Sequence, residues 1–389
     1  MRCLLLLLVG ATDEGQEALG GDTPLGAART PALDRCAQEA WTGQVAWFPP
    51  GMGIGSDTAL WLALGYDPAL YPGRGVLEMR GEGAILESDE VAFRADLVYV
   101  TEETFLRGRP RHVSQHETQM LFAHLQDWLG TSMRYLHPLA QGHGCLLWRE
   151  GPHEAYTVPP QEAEGKPLRE VLPQGEEAER LETLIYDSME LLERHPINRR
   201  RKDLGLEPLT ALWPWGGGRA PRLETFFLRH QRIGGLISFS PVARGVGHYA
   251  GLSVARLSGE EPLTYATFAG LALRWWEHTT FLLVHARLSD EMGHRQDPKA
   301  KKRAIERWEH HVFAPLWERV QGEAGSRLLL VAPYGTLCRT GHHAPLLAPF
   351  LLWGGRERAP AERFQEEAVT ESGLQVESPQ ELLRRLLER

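Results

Sequence analysis

The sequence predicts an α/β fold, a mostly parallel sheet with helices on both faces, into which a smaller α/β domain is inserted. Three observations predict it. Residues 4–9 are an unbroken apolar run, as a strand covered on both faces requires. Short apolar runs at 235–239, 280–284 and 328–332 alternate with helical stretches such as 267–278 and 298–320, the pattern of strands joined through helical crossovers. A glycine-rich turn at 49–55 joins a short strand at 43–47 to a helical stretch at 58–64.

The elements follow in order. The N-terminal run is shorter than the usual apolar core of a signal peptide (about 7–15 residues), and Asp13-Glu14 follows closely, so a buried first strand is expected. Thr30-Pro31 is a helix start, a capping hydroxyl before a proline in the first turn, and that helix runs to about Glu39. Residues 91–100 and 144–148 read as strands, and 117–129 as an amphipathic helix. Residues 152–175, rich in Pro, Gly and Glu, read as loop, and 176–194 as a long helix ending at His195-Pro196. From about 204 the alternation of strand and helix returns. The expected division is therefore 1–72 with 206–389 as the main domain and 73–205 as the inserted one.

Composition narrows the function classes. A chain of 389 residues, 42% hydrophobic and 24% charged, is long enough for a sizeable core. The net charge of −9 argues against nucleic acid or an anionic membrane as the main partner, so an anionic ligand must be met by local arginines. No stretch approaches the ~18 apolar residues of a membrane-spanning helix. Cys3, Cys36, Cys145 and Cys338 lack CxxC spacing and are expected to be buried thiols in a reducing, cytoplasmic setting. Asn occurs only at 198 and Lys only at 166, 202, 299, 301 and 302, which suits a thermophile or equally a GC-rich coding sequence.

Chemistry concentrates in a few places. Ser56, in Gly53-Ile54-Gly55-Ser56-Asp57-Thr58, stands where a strand turns into a helix, a position for a nucleophile or metal ligand; the alternative is a helix cap. Asp290 and His294 lie four residues apart after an apolar strand, and His343 follows in Gly341-His342-His343. One carboxylate and two imidazoles suit Zn²⁺ or Mn²⁺, against the alternative of a solvated helix start with surface histidines. His195-Pro196-Ile197-Asn198-Arg199-Arg200-Arg201-Lys202 is the strongest basic cluster, able to grip a phosphate or carboxylate or simply to stabilise a helix end. Arg74 and Arg244 sit in glycine-containing turns and can each present a guanidinium to an anion.

These motifs, together with Leu19-Gly20-Gly21-Asp22-Thr23-Pro24-Leu25, Leu64-Gly65-Tyr66-Asp67-Pro68, Val91-Ala92-Phe93-Arg94 and Trp213–Gly218, make the chain resemble the archaeal-type, cofactor-independent phosphoglycerate mutases of the alkaline phosphatase superfamily. The resemblance implies an alkaline-phosphatase-like sheet with two Mn²⁺-type metals. It implies a serine, here Ser56, that transiently takes the phosphoryl group, and an inserted domain that helps hold 2- or 3-phosphoglycerate. Arg74, Asn198, Arg199, Arg201 and Arg244 are the matching candidates for substrate contacts.

The resemblance breaks at specific points. Val9 stands where the family ends its first strand in an Asp ligand, and Val331-Ala332-Pro333-Tyr334 replaces Thr-Ala-Asp-His. Pro241-Val242-Ala243-Arg244 replaces Asp-x-x-Lys, and Leu60 replaces a His in the serine loop. Val and Pro carry no ligand atom, and a phenol with a pKa of ~10 needs strong activation to become one. Asp13 and Glu14 are the nearby carboxylates that would have to stand in. The expectation is one divalent-metal site, built by Asp290, His294 and His343, a lost second site, and mutase activity strongly reduced or lost. The alternatives are a binding or regulatory protein on the mutase fold and a one-metal phosphate-ester hydrolase.

Overall fold

A computed structural model describes residues 1–255, 265–371 and 374–388. Packing divides the chain into two units, one made of Met1–Tyr71 and Leu223–Arg389, the other of Pro72–Arg222. The return crossing lies at 222 and not at the expected 205, for a local reason. Strand Ala211–Gly218 pairs antiparallel with Glu90–Val100 of the inserted unit, so the Trp213-to-Gly218 run belongs to that sheet.

The first unit is built on an eight-stranded sheet in the order Ser253–Val254, Gly234–Ile237, Phe281–Ala286, Cys3–Leu8, Arg327–Val331, Ala348–Trp353, Trp41–Val45, Gln375–Val376. Cys3–Leu8 lies at its centre, parallel to both neighbours, and every one of its residues is buried. This is why its sequence shows no alternation. Leu4, Leu6 and Leu8 enter a core with Trp276, Trp308, Phe313 and Trp317, while Leu5 and Leu7 fill the other face. Ala348–Trp353 runs antiparallel to both of its neighbours, so the sheet is mixed.

Helix Pro31–Glu39 starts where the sequence predicts, but with a different cap. Thr30 makes no side-chain cap bond. Instead the Glu309 carboxylate accepts N–H bonds from Ala32 (2.6 Å) and Leu33 (3.2 Å). Glu309 opens a π-helical turn, Glu309–Phe313, between helices Pro298–Trp308 and Ala314–Gln321. A carboxylate there satisfies two otherwise orphaned helix donors and suits the positive end of the helix.

The inserted unit carries an antiparallel five-stranded sheet, in which Glu90–Val100 pairs with Phe105–Arg107, His143–Arg149 and Ala211–Gly218, and His143–Arg149 also with Arg134–Pro138. Helices Gln115–Leu129 and Ala178–Glu193 cover one face, bringing Phe122, Leu125 and Leu184 into a core with Phe93 and Leu97 of the sheet. The loop-like 152–175 region contains two single-turn helices, Pro160–Ala163 and Leu168–Val171. All four cysteines are buried and free. Among the described residues, no helix is long and apolar enough to cross a membrane.

Candidate active site and metal centre

The candidate site forms at the C-terminal ends of the parallel strands of the first unit, where α/β sheets place their ligands. Three segments far apart in sequence meet there. The first is the turn into helix Ser56–Ala63. The second is the short helix Leu288–His294, which follows strand Phe281–Ala286. The third is a small three-stranded sheet of Gly10–Thr12, Gly335–Thr336 and His343–Ala344, which carries His343.

Glycine permits this approach. At Gly10 (φ +68°) a β-carbon would stand 2.5 Å from the Asp290 Cα and 2.7 Å from the Thr336 Oγ1. The chain after the first strand therefore presses directly on the backbone of the ligand helix, which only glycine allows.

Asp290, His294 and His343 come together, with their ligand atoms all within 4.8 Å of one another. His343 Nε2 lies 3.2 Å from Asp290 Oδ1 and 3.1 Å from His294 Nε2, and His294 Nε2 lies 3.6 Å from Asp290 Oδ1. The other ring nitrogens fix the tautomers. His294 Nδ1–H donates to the Gly341 carbonyl (2.8 Å) and His343 Nδ1–H to the Ile54 carbonyl (2.7 Å). Each Nε2 then faces the other ring's Nε2 and the Asp290 carboxylate. Two lone pairs at 3.1 Å repel unless a proton or a cation lies between them. The donor set therefore fits a divalent ion, with second-layer hydrogen bonds of the kind that orient metal-bound imidazoles.

Asp290 is 2% exposed, and its second support is Thr336, whose Oγ1–H donates to Oδ1 at 2.6 Å. Burial alone would raise its pKa, but the hydrogen bond and charge of His343, then His294 and Arg287, outweigh it and hold the carboxyl well below the usual range. Below this layer lies a fully buried ammonium. Lys301 Nζ donates to the Thr12 carbonyl (2.9 Å), Asp13 Oδ2 (2.8 Å) and the Thr336 carbonyl (2.8 Å). Asp13 also accepts from the Cys338 backbone N–H. Asp13 is thus committed to an ion pair, and the Glu14 carboxylate pairs with Arg339 at the surface. Neither replaces the carboxylate that Val9 lacks.

Ser56 is the first helical residue, with Gly55 as the cap position, and the Thr58 hydroxyl, not that of Ser56, accepts from the Gly55 N–H (3.1 Å). The Ser56 hydroxyl instead meets the Tyr334 hydroxyl at 3.0 Å. Tyr334 is fully buried and its ring lies 4.7 Å, centroid to centroid, from His343. Burial first, then the Asp290 charge, pushes its pKa well above the ordinary phenol value, so the phenol is neutral.

The five anion-binding candidates fare differently. Asn198 is buried, and its amide bonds the Leu192 and Leu209 carbonyls and the Leu209 N–H. Arg201 is 1% exposed and donates to the carbonyls of Glu207, His112 and Arg111 and to Glu117. These two side chains are corrected to structural roles, because their polar atoms close the inserted unit's own backbone. Arg199 is exposed and donates to the Arg194 carbonyl. Arg74 pairs with Glu78 (2.9 Å) and lies over the Trp215 ring; Arg244 is half-buried on helix Pro241–Tyr249.

Sequence reasoning missed Tyr334 as the serine's partner, Thr336 as the Asp290 clamp and Lys301 beneath both. Lys301 had a signal. It falls on the apolar stripe of its helix with Ala304, Ile305 and Trp308, where an ammonium must find buried partners.

Residues 37–198 match the family model described as 2,3-bisphosphoglycerate-independent phosphoglycerate mutase. A relative from Geobacter sulfurreducens, described as a probable 2,3-bisphosphoglycerate-independent phosphoglycerate mutase, is 34% identical over all of both chains. A 2,3-bisphosphoglycerate-independent phosphoglycerate mutase from Methanosarcina barkeri is 31% identical over 98% of each chain. Among solved structures, a Pyrococcus horikoshii protein superposes with a TM-score of 0.77 at 27% identity, covering 99% of this chain and 97% of that one. The cofactor-independent phosphoglycerate mutase of Thermoplasma acidophilum shares the fold, with a TM-score of 0.60 at 20% identity over 100% and 99% of the two chains.

Proposed function

The chain belongs to the 2,3-bisphosphoglycerate-independent phosphoglycerate mutase family, and from that premise we propose that it is a single-cation member, one that binds phosphoglycerate while turning it over far more slowly than a two-metal mutase would. The observation that carries this reading is the environment of Ser56. Among the described residues its hydroxyl has one hydrogen-bond partner, the neutral phenol of Tyr334.

A serine hydroxyl attacks phosphorus well only when a base or a metal takes its proton. Tyr334 is neither. Asp290, His294 and His343 would hold one divalent ion, which supplies Lewis-acid polarisation of a phosphoryl oxygen. What the chain's own residues contribute is positioning. Gly55 starts the serine helix, Tyr334 fixes the hydroxyl rotor, and the Ile54 carbonyl ties the serine loop to His343. Arg244 in the first unit, and Arg74 and Arg199 in the inserted unit, are each candidates for binding an anion. Without activation of the nucleophile a loss of about 4 kcal/mol corresponds to roughly a thousandfold in rate.

The test is conversion of 3- to 2-phosphoglycerate with added Mn²⁺, comparing the natural chain with Ser56→Ala. The proposal expects a trace rate at most. A robust rate abolished by Ser56→Ala would overturn it. Release of inorganic phosphate without 2-phosphoglycerate would favour a one-metal hydrolase instead. Binding of 3-phosphoglycerate with no turnover at all would favour a binding or regulatory role.

A further inference from the structure

Among the described residues, two buried nitrogens near this centre find no hydrogen-bond acceptor. His285 stands at the end of strand Phe281–Ala286, 2% exposed, and its Nε2 makes no hydrogen bond; the Nε of Arg287 is likewise buried and unbonded. The tautomer of His285 follows from its neighbours. The Ser240 N–H donates to Ser238 Oγ (3.1 Å), and Ser238 Oγ lies 2.8 Å from His285 Nδ1. With one lone pair engaged, the serine proton is best placed on Nδ1, so Nε2 carries the hydrogen and is a donor. Burial first, and the Arg287 charge second, lower the pKa of His285 to about 3, which keeps the ring neutral.

Arg287 adjoins the candidate metal centre, and His285 stands two residues before it. Arg287 Nε is 3.9 Å from Asp290 Oδ2, and its charge acts on Tyr334, which in turn meets Ser56. Along strand Phe281–Ala286, His285 shares a face with Leu283, whose partner Leu236 lies against Gly247 of helix Pro241–Tyr249. That helix packs against the serine helix Ser56–Ala63. A buried ring N–H and a guanidinium N–H, two residues apart where strand Phe281–Ala286 passes into helix Leu288–His294, are both acceptor-seeking.

We propose that His285 and Arg287 form the donor pair that receives a phosphoryl oxygen of a phosphate monoester at the serine–cation centre. This rests on the reading of that centre given above. A phosphoryl group suits a pair of donors beside a cation site because its three outer oxygens carry more charge and more acceptor positions than a carboxylate does. The serine completes no bond in this proposal; the pair orients and holds the group.

Three measurements test it. Zinc bound per chain reads the metal centre; inorganic phosphate affinity and the ring ¹⁵N–¹H correlations of His285 read the donor pair. The expected result is an Nε2–H tautomer whose signal shifts on addition of inorganic phosphate. Arg287→Met should weaken phosphate binding by about tenfold or more, Arg287→Lys by less, each compared at equal zinc occupancy and on the metal-free chain. Phosphate affinity equal in Arg287→Met and the natural chain would overturn the proposal and leave the metal centre standing. So would an Nε2–H that contacts only a buried water and ignores phosphate, or one that responds to D-glycerate and not to phosphate. Loss of zinc binding would strike the metal centre, and phosphate would still be read on the metal-free chain.

Discussion

Arg201 and Arg94 in the inserted unit are closed by their neighbours, whereas several nitrogens around the candidate metal centre of the first unit are left unclosed among the described residues. Arg201 ends on three carbonyls and Glu117, and Arg94 on Glu78 and Asp96, with Asp96 also accepting from His143 and Trp215. In the first unit, His294 and His343 turn Nε2 atoms toward each other and Asp290, and His285 and Arg287 carry buried N–H groups that no described residue accepts. A basic run in the sequence looks like a ligand site in either case. What separates the two is whether the folded chain itself completes the polar groups.

The largest effects should come from breaking buried ion pairs, and they should differ between the units. Arg201→Met is expected to cost about 3–5 kcal/mol of stability, since Glu117 and three carbonyls lose their donor. Denaturant unfolding would show the loss, and zinc affinity should be unchanged. Lys301→Met should cost a similar amount by stranding Asp13. It should also weaken zinc binding, because Lys301 holds the Thr336 carbonyl while Thr336 holds Asp290. If both variants lost zinc equally, the contrast between the units would fail.

Acid should act on the first unit through His285. Its folded pKa of about 3 lies below the ordinary 6.5, so the unfolded chain binds more protons between those values. Its contribution to stability is therefore complete above pH 6.5 and falls as pH drops toward 3, at most by about 1.4 kcal/mol per pH unit. Depressed carboxyls such as Asp290 add their loss only at the acid end, below the ordinary carboxyl pKa. A His285→Gln variant should show a flatter stability profile from pH 6.5 to 4; an unchanged slope would mean that His285 is not held neutral.

Smaller effects sharpen the picture inside the centre. Thr336→Val removes one hydrogen bond from Asp290 and should weaken zinc binding about 10-fold, with little change in unfolding. Tyr334→Phe removes the Ser56 partner and should cost about 1 kcal/mol of stability with zinc content intact. A gain of mutase rate in Tyr334→Phe would instead mark the phenol as a brake on the serine.

The main sheet was legible because its strands are apolar without alternation, and residues 4–9 could be placed at the centre from that alone. The ligand helix was legible from the spacing of Asp290 and His294. Three things were not. The Thr30 cap was read from local chemistry, but Glu309, far away in sequence, supplies the acceptor. The run Trp213–Gly218 carries no mark of which sheet it joins, since strand pairing is decided by partners outside the segment. Arg201 and Asn198 read as ligands because a sequence shows charge and amide groups but not the carbonyls that will satisfy them.

The central claim is one cation, held by Asp290, His294 and His343. Elemental analysis after equilibration with zinc or manganese and removal of free metal tests it directly. About one ion per chain, lost in His343→Ala while the chain stays folded, is the predicted result. Two tightly held ions per chain, or one that survives His343→Ala, would contradict it.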